Sequence, residues 1–395
     1  MTKKIVFITS GGTGGHIIPA RCLAKELSKE NFEVIFLGDA KIKNYIKAED
    51  PFKSDIISSS QLKKSPVFLF KAALKIAKGI LQSLWIFLHR QPQYVVAFGG
   101  YATFPVLISA IITRTPIILH EQNAHLGKVN RIFANFSTKI ATSFPGTSGI
   151  SDKNLHKISF TGNPVRDEIL ALNHIEYQLP QEKPKKERKI FDKSENKMGY
   201  NVILASDFYP EEENDEIQET FKILVIGGSG GAKIFSEILP KAIFNLSDNI
   251  KDRLQITQQC RSELVQSTFN QYCSYNINIA IDSFFENMPE LIREAHLIIA
   301  RSGSSSIFEF CAARKPMILV PFAAAADDHQ TKNAKYLEEH SAALLVGEKE
   351  FTINKVSDLL RDLINNPTQL KTMSDNAASL AVVDATKNLV KLIND

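Results

Sequence analysis

The chain has 395 residues, 44% of them hydrophobic and 23% charged, with a formal net charge of +4. That length suggests two or three domains, and the ordinary composition excludes wholesale disorder, collagen-like repeats and a disulfide-stapled miniprotein. The charge is too balanced to spread one field over the molecule, so no nucleic-acid partner is expected.

Strands and helices alternate from the start. MTKKIVFITSGG reads as a first strand rather than a signal peptide, with Ile5-Val6-Phe7-Ile8 as its apolar run before Gly11-Gly12. A helix is expected from about Ile17 to Glu30, then a second strand at Val34–Leu37. Continuous apolar runs of this kind mark buried parallel strands covered by helices on both faces. The rhythm recurs at Tyr94–Phe98, Pro116–Leu119 and, more weakly, Lys139–Ala141.

A second series opens at Lys222–Ile226 before Gly227-Gly228 and continues at Leu254–Thr257, Ile277–Ile281, Leu297–Ala300 and Pro316–Val320. The stretch from Ile353 to Asp395 is expected to be helical, with breaks near Pro367 and Val383. Each series therefore begins strand–GG–helix, with ITSGGTGGHI at 8–17 matched by VIGGSGGAKI at 225–234. The expected fold is α/β, with two Rossmann-like doubly wound domains facing across a cleft. The glycine loops lie at the carboxyl ends of the strands, where open α/β sheets bind ligands. Between the series, 173–221 carries KPKKERK (183–189) and EEENDE (211–216), with a short apolar run at Val202–Ala205. Its composition suggests a flexible surface insertion.

Glycine lets backbone N–H groups approach a ligand closely, and a helix N-terminus favours negative charge. Gly11–Gly15 and Gly227–Gly231 are thus candidate phosphate or sugar loops, with a tight strand-to-helix turn as the plain structural alternative. Neither is a Walker A loop, and neither fits GxGxxG. Asp39, after the second strand, keeps a dinucleotide-binding oxidoreductase open as an alternative. Ser306-x-x-Glu309 matches a capping box, while a carboxylate at Glu309 can also take two vicinal ribose hydroxyls. Cys22, Cys260, Cys273 and Cys311 form no CxxC pair and have no metal-ligand spacing, which predicts reduced thiols in a cytosolic protein. No run approaches the roughly 20 apolar residues of a membrane span.

Several stretches converge on one family: GGTGGHIIPA (11–20), FGGYATFP (98–105), HEQNAHLGKVNR (120–131), TGNPVR (161–166), GGSGGAK (227–233), ARSGSSSIFE (300–309) and LVPFAAAADDHQTKNA (319–334). The chain resembles the peptidoglycan glycosyltransferases that add N-acetylglucosamine to undecaprenyl-pyrophosphoryl-muramoyl-pentapeptide (lipid I), giving lipid II. That resemblance implies a GT-B fold and an inverting transfer from UDP-N-acetylglucosamine without metal or cofactor. It also implies an N-terminal acceptor and membrane-side domain over 1–164 plus about 380–395. The C-terminal UDP-sugar domain would then cover 165–379.

Carried over by motif, Thr13, Gly14 and Gly15 lie near the transferred sugar, and Asn123 hydrogen-bonds it. Arg166 and Ser229 hold the diphosphate. Phe285 falls at a backbone contact to uracil. Ser304, Ser305, Ser306, Ile307, Phe308 and Glu309 flank phosphate and ribose, with Glu309 on the ribose hydroxyls. Gln330 reaches the sugar hydroxyls, and His329 stands where the family commonly has a first glutamine.

From the chemistry, a sugar hydroxyl attacking an anomeric carbon needs a general base. His16 is the leading candidate, expected to be neutral with a pKa near working pH; Glu121 is the second. The departing diphosphate needs positive charge and donors more than a proton.

Gln61 to Arg90 interleaves Lys63, Lys64, Lys71, Lys75, Lys78 and Arg90 with Val67, Phe68, Phe70, Leu74, Leu81, Trp85 and Phe87. Such a helix can lie in a membrane interface, which fits a lipid acceptor at the cytoplasmic face of the inner membrane. The plain alternative is a core-facing helix with a solvated basic face. Also open are another UDP-sugar transferase acting on a membrane glycolipid, and a non-catalytic nucleotide-sugar sensor.

Overall fold

The computed structural model describes residues 3–60, 66–180, 203–204, 220–228, 231–275 and 277–394. The N-terminal sheet contains β1 (Lys4–Thr9), β2 (Phe32–Gly38), β3 (Lys53–Ile56), β4 (Tyr94–Ala97), β5 (Ile117–Glu121), β6 (Lys139–Thr142) and β7 (Ile158–Phe160). Its order is β3-β2-β1-β4-β5-β6-β7, and the pairs are parallel. Helices α1 (Gly14–Lys29), α2 (Pro66–Arg90), α3 (Phe104–Ile112) and α4 (Lys128–Phe133) complete this half.

The second half opens with α5 (Asp167–Leu170) and β8 (Ile203–Leu204). It continues through β9 (Phe221–Ile226), α6 (Lys233–Phe244), α7 (Asp248–Lys251), β10 (Leu254–Gln259), α8 (Val265–Ser274), β11 (Asn278–Asp282), α9 (Met288–Glu294) and β12 (Leu297–Ala300). Then come α10 (Ser304–Ala312), β13 (Met317–Leu319), α11 (His329–Glu339), β14 (Ala343–Leu345), α12 (Ile353–Ile364), α13 (Pro367–Ser379) and α14 (Ala385–Asn394). The order is β14-β13-β12-β9-β10-β11-β8, parallel except where β8 pairs antiparallel with β11.

The central strands β1 and β9 are buried on both faces, which is why they are apolar without alternation. In β1, Val6 and Ile8 enter one core while Phe7 enters the other. In β9, Ile223 and Val225 face one layer, and Leu224 and Ile226 the opposite one. Each fully buried side chain of this size is worth about 1.5–3 kcal/mol. The strand order reverses between β1 and β4, and again between β9 and β12. Those are the two switch points where a crevice opens.

The chain crosses between halves around residues 161–166 and returns around 380–385. The crossings touch: Gly162 has φ +78°, and a Cβ there would press on the Val382 side chain. Beyond the return, Leu389, Val390 and Ile393 of α14 pack into the N-terminal core with Ile17, Leu23 and Leu27.

Helix α1 starts three residues earlier than expected, inside the glycine loop. The expected insertion is also not loose at its start. Leu172 and Tyr177 are buried, Tyr177 donates to His296 O at 2.9 Å, and Asn173 donates to Ala312 O at 3.1 Å. The apolar run at 202–205 supplies β8, while most of the remaining insertion lies outside the described residues.

Helix α2 has one buried face and one exposed face. Ala72, Ser83 and Phe87 are buried, and Phe87 meets Phe7 edge-on at 4.9 Å. Phe87 is therefore a core residue rather than part of the expected membrane face. Phe68, Phe70, Leu74, Leu81, Trp85 and Leu88 are each more than half exposed, alongside exposed Lys71, Lys75 and Lys78. Lys63 and Lys64 lie outside the described residues, as does the side chain of Val67. Among the described residues no helix is long and apolar enough to cross a membrane.

Candidate active site

Four loops converge at the two switch points. Gly11–Gly15 follows β1, Gly99-Gly100 follows β4, Gly227-Gly228 follows β9 and Arg301–Gly303 follows β12. The first two touch backbone to backbone. Gly100 has φ +84°, and a Cβ there would come within 2.5 Å of Gly11 O. All four border one cleft of about 1520 Å³.

Thr13, Gly14, Gly15, His16, Glu121, Asn123, Arg166, Phe285, Ser304, Ser305, Ser306, Glu309 and Gln330 all line this cleft. Ser229 lies outside the described residues. Ile307 and Phe308 are turned away into the core, where Phe308 packs on Phe144 at 4.8 Å. The Ile307 amide already donates to Gly303 O at 3.1 Å. That leaves the amides of Ser304, Ser305 and Ser306 as the unpaired first turn of α10, a local site of positive potential.

The expected capping box does not form. Gly303 is the N-cap of α10, and Glu309 pairs instead with Arg166 at 2.6 Å. Residues 143 apart in sequence are thus joined across the floor of the cleft.

Ser305 makes a cross-domain contact, donating from Oγ to Gly15 O at 2.7 Å. The acceptor is free because Pro19, inside α1, has no N–H to bond the carbonyl four residues before it. A proline that weakens the helix thereby exposes an acceptor at the domain boundary.

His16 Nδ1 lies 3.1 Å from Thr13 Oγ1. Its Nε2 has no hydrogen-bond partner among the described residues. Burial, with a smaller contribution from nearby His329, lowers the His16 pKa to about 4. The imidazole is therefore neutral as expected, but burial is the main cause and its pKa lies well below working pH rather than near it.

Glu121 is 1% exposed. Oε1 accepts from Asn123 N and Nδ2, both at 3.0 Å, and Oε2 accepts from Gly127 N at 2.8 Å and Asn130 Nδ2 at 2.9 Å. Burial raises its pKa while these bonds oppose the rise. Four donors occupy the carboxylate, so it orders the Asn123 loop. Gln330 Oε1 accepts from Phe322 N at 2.9 Å, leaving its amide NH₂ for the cleft.

Asp39 does not present a free carboxylate. It accepts from Tyr101 OH and from Lys41 N, and Lys41 Nζ reaches Gly12 O at 3.3 Å. This set props the first glycine loop. Tyr101, inside the FGGYATFP stretch, also lines the cleft, and an aromatic right after a glycine pair is its only signal in the sequence. Among the described residues no three His, Cys, Asp or Glu side chains cluster to hold a metal ion. The four cysteines are free.

Comparison with known proteins agrees with this geometry. The glycosyltransferase family 28 N-terminal domain matches residues 6–142, and the family 28 C-terminal domain matches residues 222–389. A UDP-N-acetylglucosamine–N-acetylmuramyl-(pentapeptide) pyrophosphoryl-undecaprenol N-acetylglucosamine transferase of Rhodospirillum centenum is 32% identical, covering 100% of this chain and 94% of its own. The protein of the same name from Rickettsia conorii is 36% identical, covering 95% and 94%. The crystal structure of MurG from Acinetobacter baumannii superposes with a TM-score of 0.70 at 26% identity, over 99% of both chains.

Two doubly wound domains with glycine loops facing across one cleft form a GT-B architecture, and the family 28 domains and the named relatives make it that of a glycosyltransferase. The chain belongs to glycosyltransferase family 28.

Proposed function

We propose that this enzyme moves N-acetylglucosamine from UDP-N-acetylglucosamine to the muramoyl hydroxyl of lipid I, giving lipid II. The observation that carries the proposal is similarity over essentially the whole chain to transferases named for that reaction. The convergence of both switch points on one cleft supports it.

In this reading the C-terminal domain takes the nucleotide. Phe285 borders the base, Glu309 the ribose, and the free amides of α10 with Arg166 the diphosphate. Asn123 and Gln330 approach the sugar. The acceptor enters from the N-terminal side, over Thr13, Gly14 and Gly15.

The acceptor oxygen forms a bond to the anomeric carbon as the bond to the β-phosphate oxygen breaks, inverting the centre. The electron pair leaves with UDP, and the proton of the attacking hydroxyl passes to His16 Nε2. Entry of the diphosphate adds negative charge beside His16, which raises its pKa toward the range where a base is effective. Donors fixed before the reaction stabilise the departing charge without reorganising.

The exposed apolar and basic face of α2 is assigned to the membrane surface that holds the acceptor. Anionic vesicles should pull the protein down at low salt and release it at high salt. Turnover is tested with labelled UDP-N-acetylglucosamine offered to lipid I or to diacylglycerol. The proposal requires label in lipid II, with diacylglycerol unmodified.

A further inference from the structure

Asn333 of α11 has no solvent exposure, yet its side chain reaches across the domain boundary. Nδ2 donates to Asn123 Oδ1 at 3.1 Å and to Ser302 O at 3.1 Å, while Oδ1 accepts from Ala124 N at 2.9 Å. Two of these partners belong to the N-terminal domain and one to the C-terminal domain. The arrangement admits only one amide orientation. A flip would set oxygen against the Asn123 and Ser302 oxygens and NH₂ against the Ala124 N–H.

Asn123 is thereby held at both ends. Its Nδ2 donates to Glu121 Oε1 at 3.0 Å, and its Oδ1 accepts from Asn333. One N–H and one lone pair remain for the cleft that Asn123 lines. A sugar hydroxyl both donates and accepts, so it fits that pair. Glu121 belongs to the same domain as Asn123 and holds it whether or not the domains meet. Asn333 holds it only when they do.

We infer that Asn333 is a positioning residue that couples domain closure to the orientation of Asn123, so that the amide surface for the transferred sugar is completed only in the closed form. This rests on the reading that Asn123 meets the donor sugar. Nucleotide alone, which lacks the sugar, does not sense Asn333. The full donor does, and so does discrimination between UDP-N-acetylglucosamine and its galacto epimer.

The test is a double-mutant cycle on the full-length protein with Asn123→Ala, Asn333→Ala and the pair, plus Asn333→Asp, whose carboxylate accepts from Ala124 but cannot donate to Asn123. UDP calorimetry on every variant verifies a folded nucleotide site. The expected result is a fall in kcat/KM of about 30–100-fold for Asn333→Ala and Asn333→Asp, with UDP affinity changed by less than about threefold. Selectivity against the epimer falls, and Asn333→Ala adds less than about threefold once Asn123 is already Ala. Multiplying losses, or equal losses for UDP and for the donor, would overturn the inference and leave Asn333 a general structural pin. If wild-type protein binds UDP but transfers neither sugar, the functional reading falls and this inference with it.

Discussion

Arg166 and Glu309 form a bidentate ion pair, Nε to Oε1 at 2.6 Å and Nη2 to Oε2 at 2.7 Å. The arginine follows the crossing out of the first domain, and the glutamate sits on α10 of the second. In the proposed reading one holds diphosphate and the other ribose, yet here they hold each other. Their side chains are 27% and 8% exposed, so neither is fully hydrated if separated.

Glu309→Ala removes both acceptors at once. Unfolding stability should fall by about 2–3 kcal/mol, less than for a fully buried pair because the guanidinium keeps some water. UDP affinity should fall about tenfold or more through the lost ribose contact. Denaturant unfolding and UDP calorimetry on the same variant measure both; unchanged affinity would separate Glu309 from the ribose.

His16→Ala should lower kcat by about 10²–10⁴-fold, because a general base acts on the transition state, and leave the donor KM within a few fold. The acid limb of kcat/KM should lie low, reflecting a free-enzyme pKa of about 4. The limb of kcat should sit higher, since bound diphosphate favours the imidazolium. Steady-state profiles from pH 4 to 8 would show the two limbs apart; coincident limbs would count against the assignment.

Pro19→Ala restores the N–H that Gly15 O lacks within α1. The carbonyl then bonds inside its own helix and competes with Ser305 Oγ. The helix gains stability while the domain contact weakens. Donor KM should rise by about the same few fold in Pro19→Ala and Ser305→Ala, and little more in the double variant.

Three histidines, one buried and two part-buried, set an acid limit on folding. His16, His120 and His296 are each lowered to about 4, mainly by burial. His296 Nδ1 also accepts from Lys222 N at 2.9 Å, which requires a neutral ring. Unfolded histidine titrates near 6.5, so the unfolded chain binds more protons between about pH 4 and 6.5. Stability should therefore fall as pH falls through that window, opposed in part by Glu121, whose pKa is raised. Melting temperature at pH 7.5 and pH 5 tests the sign, and a His296→Gln variant should show the shallower slope.

The glycine loops and most strands were legible because strands buried on both faces carry uninterrupted apolar runs. β3 was not: its residues KSDI are all exposed, so an edge strand leaves no periodic trace. The motifs named most of the cleft's lining residues but not their partners. Arg166 with Glu309 and Asn123 with Asn333 are joined over 143 and 210 residues, and no local pattern encodes either pair. Ser306-x-x-Glu309 looked like a cap because spacing alone cannot weigh a distant arginine against a nearby backbone amide. On α2, the segregation of Phe87 from Trp85 depended on which side α3 and β1 occupy.

The most direct measurement is incorporation of labelled N-acetylglucosamine from UDP-N-acetylglucosamine into lipid I, run with wild-type protein and with His16→Ala. The account predicts lipid II from the wild type and about a hundredfold or greater loss in the variant. A folded wild-type protein that binds UDP yet leaves lipid I unchanged would contradict it.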